Sequence, residues 1–120
     1  MSLGEAAAQP RKIVIDCDPG IDDAMAIVLA MQHSGFEIVG ISTMFGNAYV
    51  DQATRNALTV VELSGRTIPV YQGAAKPRRI AIEPPPDFAH GKEGLGNTNH
   101  PPPKSSPQSK SAAQFLVDTA

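Results

Sequence analysis

The segment Asp16-Cys17-Asp18-Pro19-Gly20-Ile21-Asp22-Asp23 puts four carboxylates into eight residues. Carboxylates this close repel one another, and some must rise in pKa unless a cation joins them. Oxygen donors of this kind suit a hard ion, Ca²⁺ or Mg²⁺, rather than Zn²⁺. A plainer reading serves part of the run. Asp22 and Asp23 would fall in the first turn of a helix, where the dipole favours negative charge. It does not account for Asp16 and Asp18, which are expected to point into the same corner, so a metal site is the stronger reading. Cys17 stands between two aspartates. A thiolate there would be opposed by charge, so Cys17 reads as a packed, inert residue and not as a nucleophile.

The elements that would carry this cluster follow from the hydrophobic pattern. Lys12 to Ile15 is a short β-branched run that stops at Asp16, as a buried parallel strand does. Pro19-Gly20 breaks the chain, and Ile21 to His33 is an apolar helix expected to be buried on more than one face. Ser34-Gly35 ends it. Glu37 to Met44 predicts a second strand, closed by the loop Phe45-Gly46-Asn47. Val50, Ala53, Ala57, Leu58, Val61 and Leu63 recur at helical spacing, and Gly65 stands where a C-terminal cap belongs. Ile68 to Tyr71 is a third strand that Pro69 confines to an edge or to its own beginning. Strand, helix, strand, helix, strand predicts an α/β fold: a mostly parallel, Rossmann-like sheet flanked by helices. Ligands bind such sheets beyond the carboxyl ends of the strands, where the aspartates lie. Three strands are fewer than the five or six that are typical, so the chain reads as the front part of something larger.

Most of the chain's 11 prolines lie between Gly73 and Pro107. Pro84-Pro85-Pro86 and Pro101-Pro102-Pro103 exclude helix and central strand, and a connection of this length in a compact domain is functional or disordered. Residues 73–108 are read as a Pro/Gly-rich loop beside the site, and residues 1–10 as a flexible tail. Ser109 to Ala120 predicts a further helix, capped by Ser109 or Ser111, with Ala112, Ala113, Phe115 and Leu116 as its apolar face. Met25, Met31 and Met44 are assigned to the core. His33 ends an apolar helix and suits its C-terminal dipole. His100 precedes three prolines and is expected to be exposed. His90 lies in the loop, where a histidine is either simply solvated or functional. Gly91, Gly94 and Gly96 do not form a phosphate loop, since no strand leads straight into them and no Gly-Lys-Ser/Thr follows.

The 120 residues are 42% hydrophobic and 18% charged, with net charge −2 and one cysteine. That composition is globular, and it gives no basic patch for a nucleic acid polymer and no polybasic stretch for a membrane surface. No run approaches the length of a membrane span, and Met1 to Pro10 has no apolar core of a secretory signal. A single thiol excludes an intrachain disulfide and fits a reducing, cytoplasmic setting.

Asp16 to Ala24 closely matches the N-terminal signature of the inosine-uridine nucleoside hydrolases, and the chain resembles that family from about Arg11 onward. Thr43 to Asn47 resembles the family's strand-end Gly-Asn, and Thr54-Arg55-Asn56-Ala57 the start of its second helix. Val70-Tyr71-Gln72-Gly73 is similar to the strand entering the long loop, and His90-Gly91 with Gly94-Leu95-Gly96 to its His-Gly-x-x-Gly-x-Gly segment. Residues 11–120 would then be the N-terminal portion of a nucleoside hydrolase domain. The resemblance implies hydrolysis of the N-glycosidic bond of ribonucleosides to ribose and free base, by a calcium-bound water activated by an aspartate. It implies Asp18 as Ca²⁺ ligand and general base, Asp23 as a second Ca²⁺ ligand, Asp22 and Asn47 as ribose contacts, and His90 as a contact to the nucleobase. Asp16 would support the site from close by. It also implies a homo-oligomer for the whole protein, further calcium ligands from later segments, and a chain two to three times longer. Lys92 departs from the usual pattern within the loop motif.

Two rival readings remain at this stage. A haloacid-dehalogenase-like phosphatase also places Asp-x-Asp after its first strand, but it puts Thr or Val where Gly20 stands and leaves Asp22-Asp23 unexplained. A non-catalytic metal-binding or nucleoside-binding module would keep the aspartates without turnover.

Overall fold

The computed structural model describes residues 9–120; most of the tail expected over residues 1–10 lies outside the described residues. The elements are β1 (Arg11–Cys17), α1 (Ile21–Gln32), β2 (Phe36–Thr43), α2 (Val50–Leu63), β3 (Val70–Gln72), the single turn α3 (Asp87–His90) and α4 (Ala112–Thr119). The three strands form one sheet in the order β1-β2-β3, parallel throughout. The α/β reading therefore holds, and so does the position of β3 at an edge, beginning directly after Pro69. The carbonyl of Pro69 still accepts from the N–H of Ile41 at 2.9 Å, so the proline costs the ladder a donor but no acceptor.

β1 runs two residues past Ile15, through Asp16 to Cys17. Hydrogen bonding to β2 carries it on: Asp16 pairs with Ser42 and Cys17 with Thr43. Alternation then fixes where each side chain goes. Cys17 turns into the main core with Ile27, Met31, Ile41, Ala57, Leu58, Val61 and Val70, the layer between the sheet and helices α1 and α2. Asp16 turns to the other face. That face carries α4, whose Phe115 lies on Tyr71 with ring centroids 3.9 Å apart and planes 4° apart. α4 begins at Ser111, one of the two predicted caps, whose hydroxyl accepts from the N–H of Gln114 at 3.2 Å. β2 carries one extra residue, Val39, between the partners of Ile13 and Val14.

α2 has the predicted bounds. Its buried face includes Val50, Ala53, Ala57, Leu58, Val60 and Val61, and Gly65 follows its C-cap with φ 73°. α1 departs from expectation. Only Ile27 and Met31 are buried, while Met25 is 69% and Leu29 72% exposed. The apolar character all round this helix is real, but one side alone meets α2 and the sheet. Met44 is likewise at the surface, which leaves Met31 alone of the three methionines in the core. His33 closes α1, with its ring stacked on Phe36 at 4.7 Å. His100 is exposed, as expected. Among the described residues, no helix is long and apolar enough to cross a membrane.

Candidate functional site at the carboxyl edge of the sheet

Parallel strands deliver their following loops to one edge. Asp18 follows β1, Gly46 and Asn47 follow β2, and residues 73–108 follow β3. Backbone bonds tie these exits together: Met44 N–H donates to the Cys17 carbonyl at 3.2 Å, and Phe45 N–H to the Ala74 carbonyl at 3.0 Å.

Asp18 is half-buried in this edge. Its Oδ2 accepts from the backbone N–H of Asn47 at 2.8 Å. The neighbouring Gly46 presses against it so closely that a Cβ at that position would lie 2.0 Å from Oδ2. Asp23 reaches back from the first turn of α1 and accepts, through Oδ2, from the backbone N–H of Asp18 at 3.0 Å. The two carboxylates are thus held on one turn, each with one oxygen engaged by backbone. Burial holds the Asp23 carboxyl above the ordinary carboxylate range; the charges of Asp18 and Asp22 push the same way, while the N–H of Asp18 opposes them. A raised carboxyl stabilises the fold below its unfolded pKa, and that contribution is lost as pH rises through the folded value, unless a cation offsets the repulsion.

The other two aspartates face elsewhere. Asp16 accepts from the Ser42 hydroxyl at 2.5 Å, across the register pair that joins β1 to β2. Asp22 is 75% exposed by side chain and lies 3.9 Å from Nδ1 of His90. Among the described residues, no three His, Cys, Asp or Glu side chains converge on a point that could hold a metal ion. Four carboxylates in eight residues therefore resolve into one close pair and two outliers. The ladder pairing with Ser42 holds Asp16 within β1 while Asp18 lies past its end, and the helix turn removes Asp22. The donors of the close pair are hard oxygens and suit a hard cation as two of its ligands.

His90 ends α3 rather than standing in open loop. Its Nδ1 accepts from the backbone N–H of Ile21 at 3.1 Å, which caps the start of α1 where Gly20 offers no side chain. An accepting Nδ1 leaves the proton of the neutral ring on Nε2. Sequence reasoning passed over Asn56. It is 2% exposed, and its amide nitrogen donates to the carbonyls of Pro19 at 2.9 Å and Glu93 at 2.8 Å. A buried carboxamide on the face of α2 that meets the aspartate turn was the available signal.

Cys17 is buried, and its Sγ donates to the Ser42 carbonyl at 3.7 Å. Burial first, then the charges of Asp23, Asp16 and Asp18, push its thiol up to about 12. The folded chain is expected to leave Cys17 unmodified by iodoacetamide at pH 8, where only about 0.01% would be thiolate, and to become reactive in denaturant. Modification of the native chain at the rate of a free thiol would contradict this environment.

Residues 13–120 match the family described as inosine-uridine preferring nucleoside hydrolase. The chain belongs to that family. It is 50% identical over 127 aligned residues to probable uridine nucleosidase 2 of Arabidopsis thaliana, covering 100% of this chain and 37% of that protein. Its fold is similar to that of the purine-preferring ribonucleoside hydrolase of Gardnerella vaginalis, with TM-score 0.85 and 32% identity over 91% of this chain and 36% of that one. A plant nucleoside hydrolase superposes with TM-score 0.82 and 36% identity, over 92% and 35% of the two chains. The chain thus spans little more than a third of the length of these relatives. As a member of the nucleoside hydrolase family, it does not need the phosphatase reading of its Asp-x-Asp motif. The uncovered side of α1 is in keeping with a segment that forms part of a larger domain in its relatives.

Proposed function

We propose that the protein to which this segment belongs hydrolyses the N-glycosidic bond of ribonucleosides, with the loops at the carboxyl edge of the sheet as one wall of its active site. The paired Asp18 and Asp23 carboxylates, held by backbone N–H groups beside Asn47, carry the reading. Asp18 and Asp23 would hold Ca²⁺, which when bound supplies a shared anchor for water and the ribose hydroxyls. Asp18 is the general base: it takes one proton of the attacking water as the water oxygen bonds to ribose C1′ and the bond to the base nitrogen breaks, its electron pair leaving with the nucleobase, which gains a proton as it departs. Calcium acidifies water less than zinc does, so a carboxylate base is needed. The sugar passes through an oxocarbenium-like state, whose positive charge the Asp18–Asp23 pair stabilises.

Asp22, exposed at the start of α1, accepts from a ribose hydroxyl, and the Asn47 side chain contacts the same sugar. His90 lies on the loop of residues 73–108, which forms the wall towards the nucleobase, and offers Nε2–H as a donor. Asp16 steadies the end of β1 through Ser42 rather than touching substrate. Uridine and inosine are the substrates to assay first, since uridine nucleosidases and inosine-uridine preferring hydrolases are among the relatives. A lone buried thiol suits the cytoplasm, and the exposed apolar side of α1 suits burial within a whole domain or homo-oligomer.

Calorimetric titration of the whole protein tests the metal assignment. Ca²⁺ is expected to bind and Asp23→Asn to weaken it, while tight Zn²⁺ binding with no response to Ca²⁺ would refute it. Ribose release from uridine or inosine tests the reaction; Ca²⁺ and nucleoside binding without ribose release would favour a non-catalytic binding module.

A further inference from the structure

Asn56 lies in the middle of α2, a helix that contributes no residue to the proposed chemistry. It is nevertheless among the most deeply buried polar side chains described, and its hydrogen-bonding capacity is used on both sides. One amide hydrogen goes to the carbonyl of Pro19, inside the turn that carries Asp18, Asp22 and Asp23, at 2.9 Å. The other goes to the carbonyl of Glu93, inside the loop that follows His90, at 2.8 Å. Its Oδ1 accepts from Gln52 one helical turn earlier, at 2.9 Å, which fixes the orientation of the carboxamide.

Besides Asn56, the two segments meet at His90, whose ring covers Gly20 and whose only hydrogen bond to the turn, from Ile21 N–H, is at an exposed position. Between His90 and Thr98 the remaining bonds are internal: Gly96 N–H to the His90 carbonyl at 2.7 Å, Lys92 N–H to Asn97 Oδ1 at 3.0 Å and Thr98 N–H to Glu93 Oε1 at 2.9 Å. It is a self-bonded unit that needs a seat. Gly94 makes the seat possible. It has φ 86°, and a Cβ there would lie 2.8 Å from the Asn56 amide nitrogen.

We propose that Asn56 is a positioning residue that clamps the His90 loop to the aspartate turn, so that both are carried on one rigid frame. The clamp rests on the nucleoside hydrolase reading for its meaning in catalysis, but not for its existence. Two carbonyls converging on one buried amide form a joint that water cannot easily replace, because the amide sets both the distance and the direction. Without it the loop keeps its internal bonds but loses its place relative to Asp18 and Asp23.

Hydrogen exchange on the whole protein, with kinetics on the same samples, tests the clamp. Asn56→Ala removes both donors, Asn56→Asp keeps the size and removes both donor hydrogens, and Gly94→Ala attacks the joint from the loop side. In each, the amides of Gly91 to Thr98 and of Ile21 are expected to exchange at least about tenfold faster while those of Ile41 and Val61 are unchanged. kcat/KM is expected to fall about 10- to 100-fold. His90→Ala should then cost much less in the Asn56→Ala background than in the wild type, because the clamp already places His90. Unchanged loop exchange would overturn the proposal, as would exchange raised equally throughout the core or a full independent cost of His90→Ala. If no variant, nor the wild type, releases ribose, the hydrolase reading fails while the exchange pattern still decides the clamp. If Asn56→Ala does not fold, Asn56→Asp and Gly94→Ala decide it.

Discussion

Asp18→Asn in the whole protein is expected to lower kcat by about 10²–10⁴-fold, equivalent to about 3–5 kcal/mol of barrier, while nucleoside binding changes far less. The substitution removes the proton acceptor and one negative charge but keeps the shape. Its amide oxygen can still accept from Asn47 N–H, which the wild-type carboxylate holds at 2.8 Å, so the loop after β2 has no reason to move. Single-turnover ribose release, with nucleoside affinity measured separately, distinguishes a lost base from a lost site. Turnover near that of the wild type would remove Asp18 from the role of base.

Gly46→Ala should come close to the same loss without replacing any group that does chemistry. Its Cβ would stand 2.0 Å from Asp18 Oδ2, far inside contact distance, so either the carboxylate or the loop must shift. A shift of the order of 1 Å in a reacting group can cost about 10²-fold, and Ca²⁺ affinity should fall with it because Asp18 is a proposed ligand. The two substitutions act on one carboxylate, so Gly46→Ala combined with Asp18→Asn should be much less than multiplicative. A cooperative melt similar to that of the wild type would show that the effect is local. Unchanged kcat in a folded Gly46→Ala protein would mean that Asp18 does not work from the position it occupies against this loop.

Much of this was legible in the sequence because it rests on local patterns. β-Branched runs ending in Asp or Gly, and apolar residues at helical spacing, gave three strands, the full extent of α2 and the α/β order. The edge that carries the site follows from that order alone, since parallel strands deliver their loops to the same side. Pro69 marked β3 as an edge strand or as beginning there, and Ser109 or Ser111 stood as the cap of α4; the strand starts at Val70 and Ser111 is the cap. The aspartate run and the His-Gly segment marked the family without any three-dimensional information.

Tertiary structure decided what those aspartates do relative to one another. Hydrogen bonding to β2 drew β1 out to Cys17, which keeps Asp16 in the ladder beside Ser42, while Asp18 lies beyond the strand end and turns to the Asn47 N–H. The first turn of α1 aimed Asp23 back at the Asp18 backbone and left Asp22 in solvent beside His90. No spacing rule predicts this, because a residue's direction depends on where a strand ends, and that depends on its partner strand. The burial of α1 was likewise undetermined. An apolar helix reports what it can pack against, whereas exposure reports what is present, and here α2 and the sheet cover one side only. The joint at Asn56 lay furthest from view. It joins residues 37 positions apart on either side, and a carboxamide in a helix announces nothing until the turn and the loop have folded onto it.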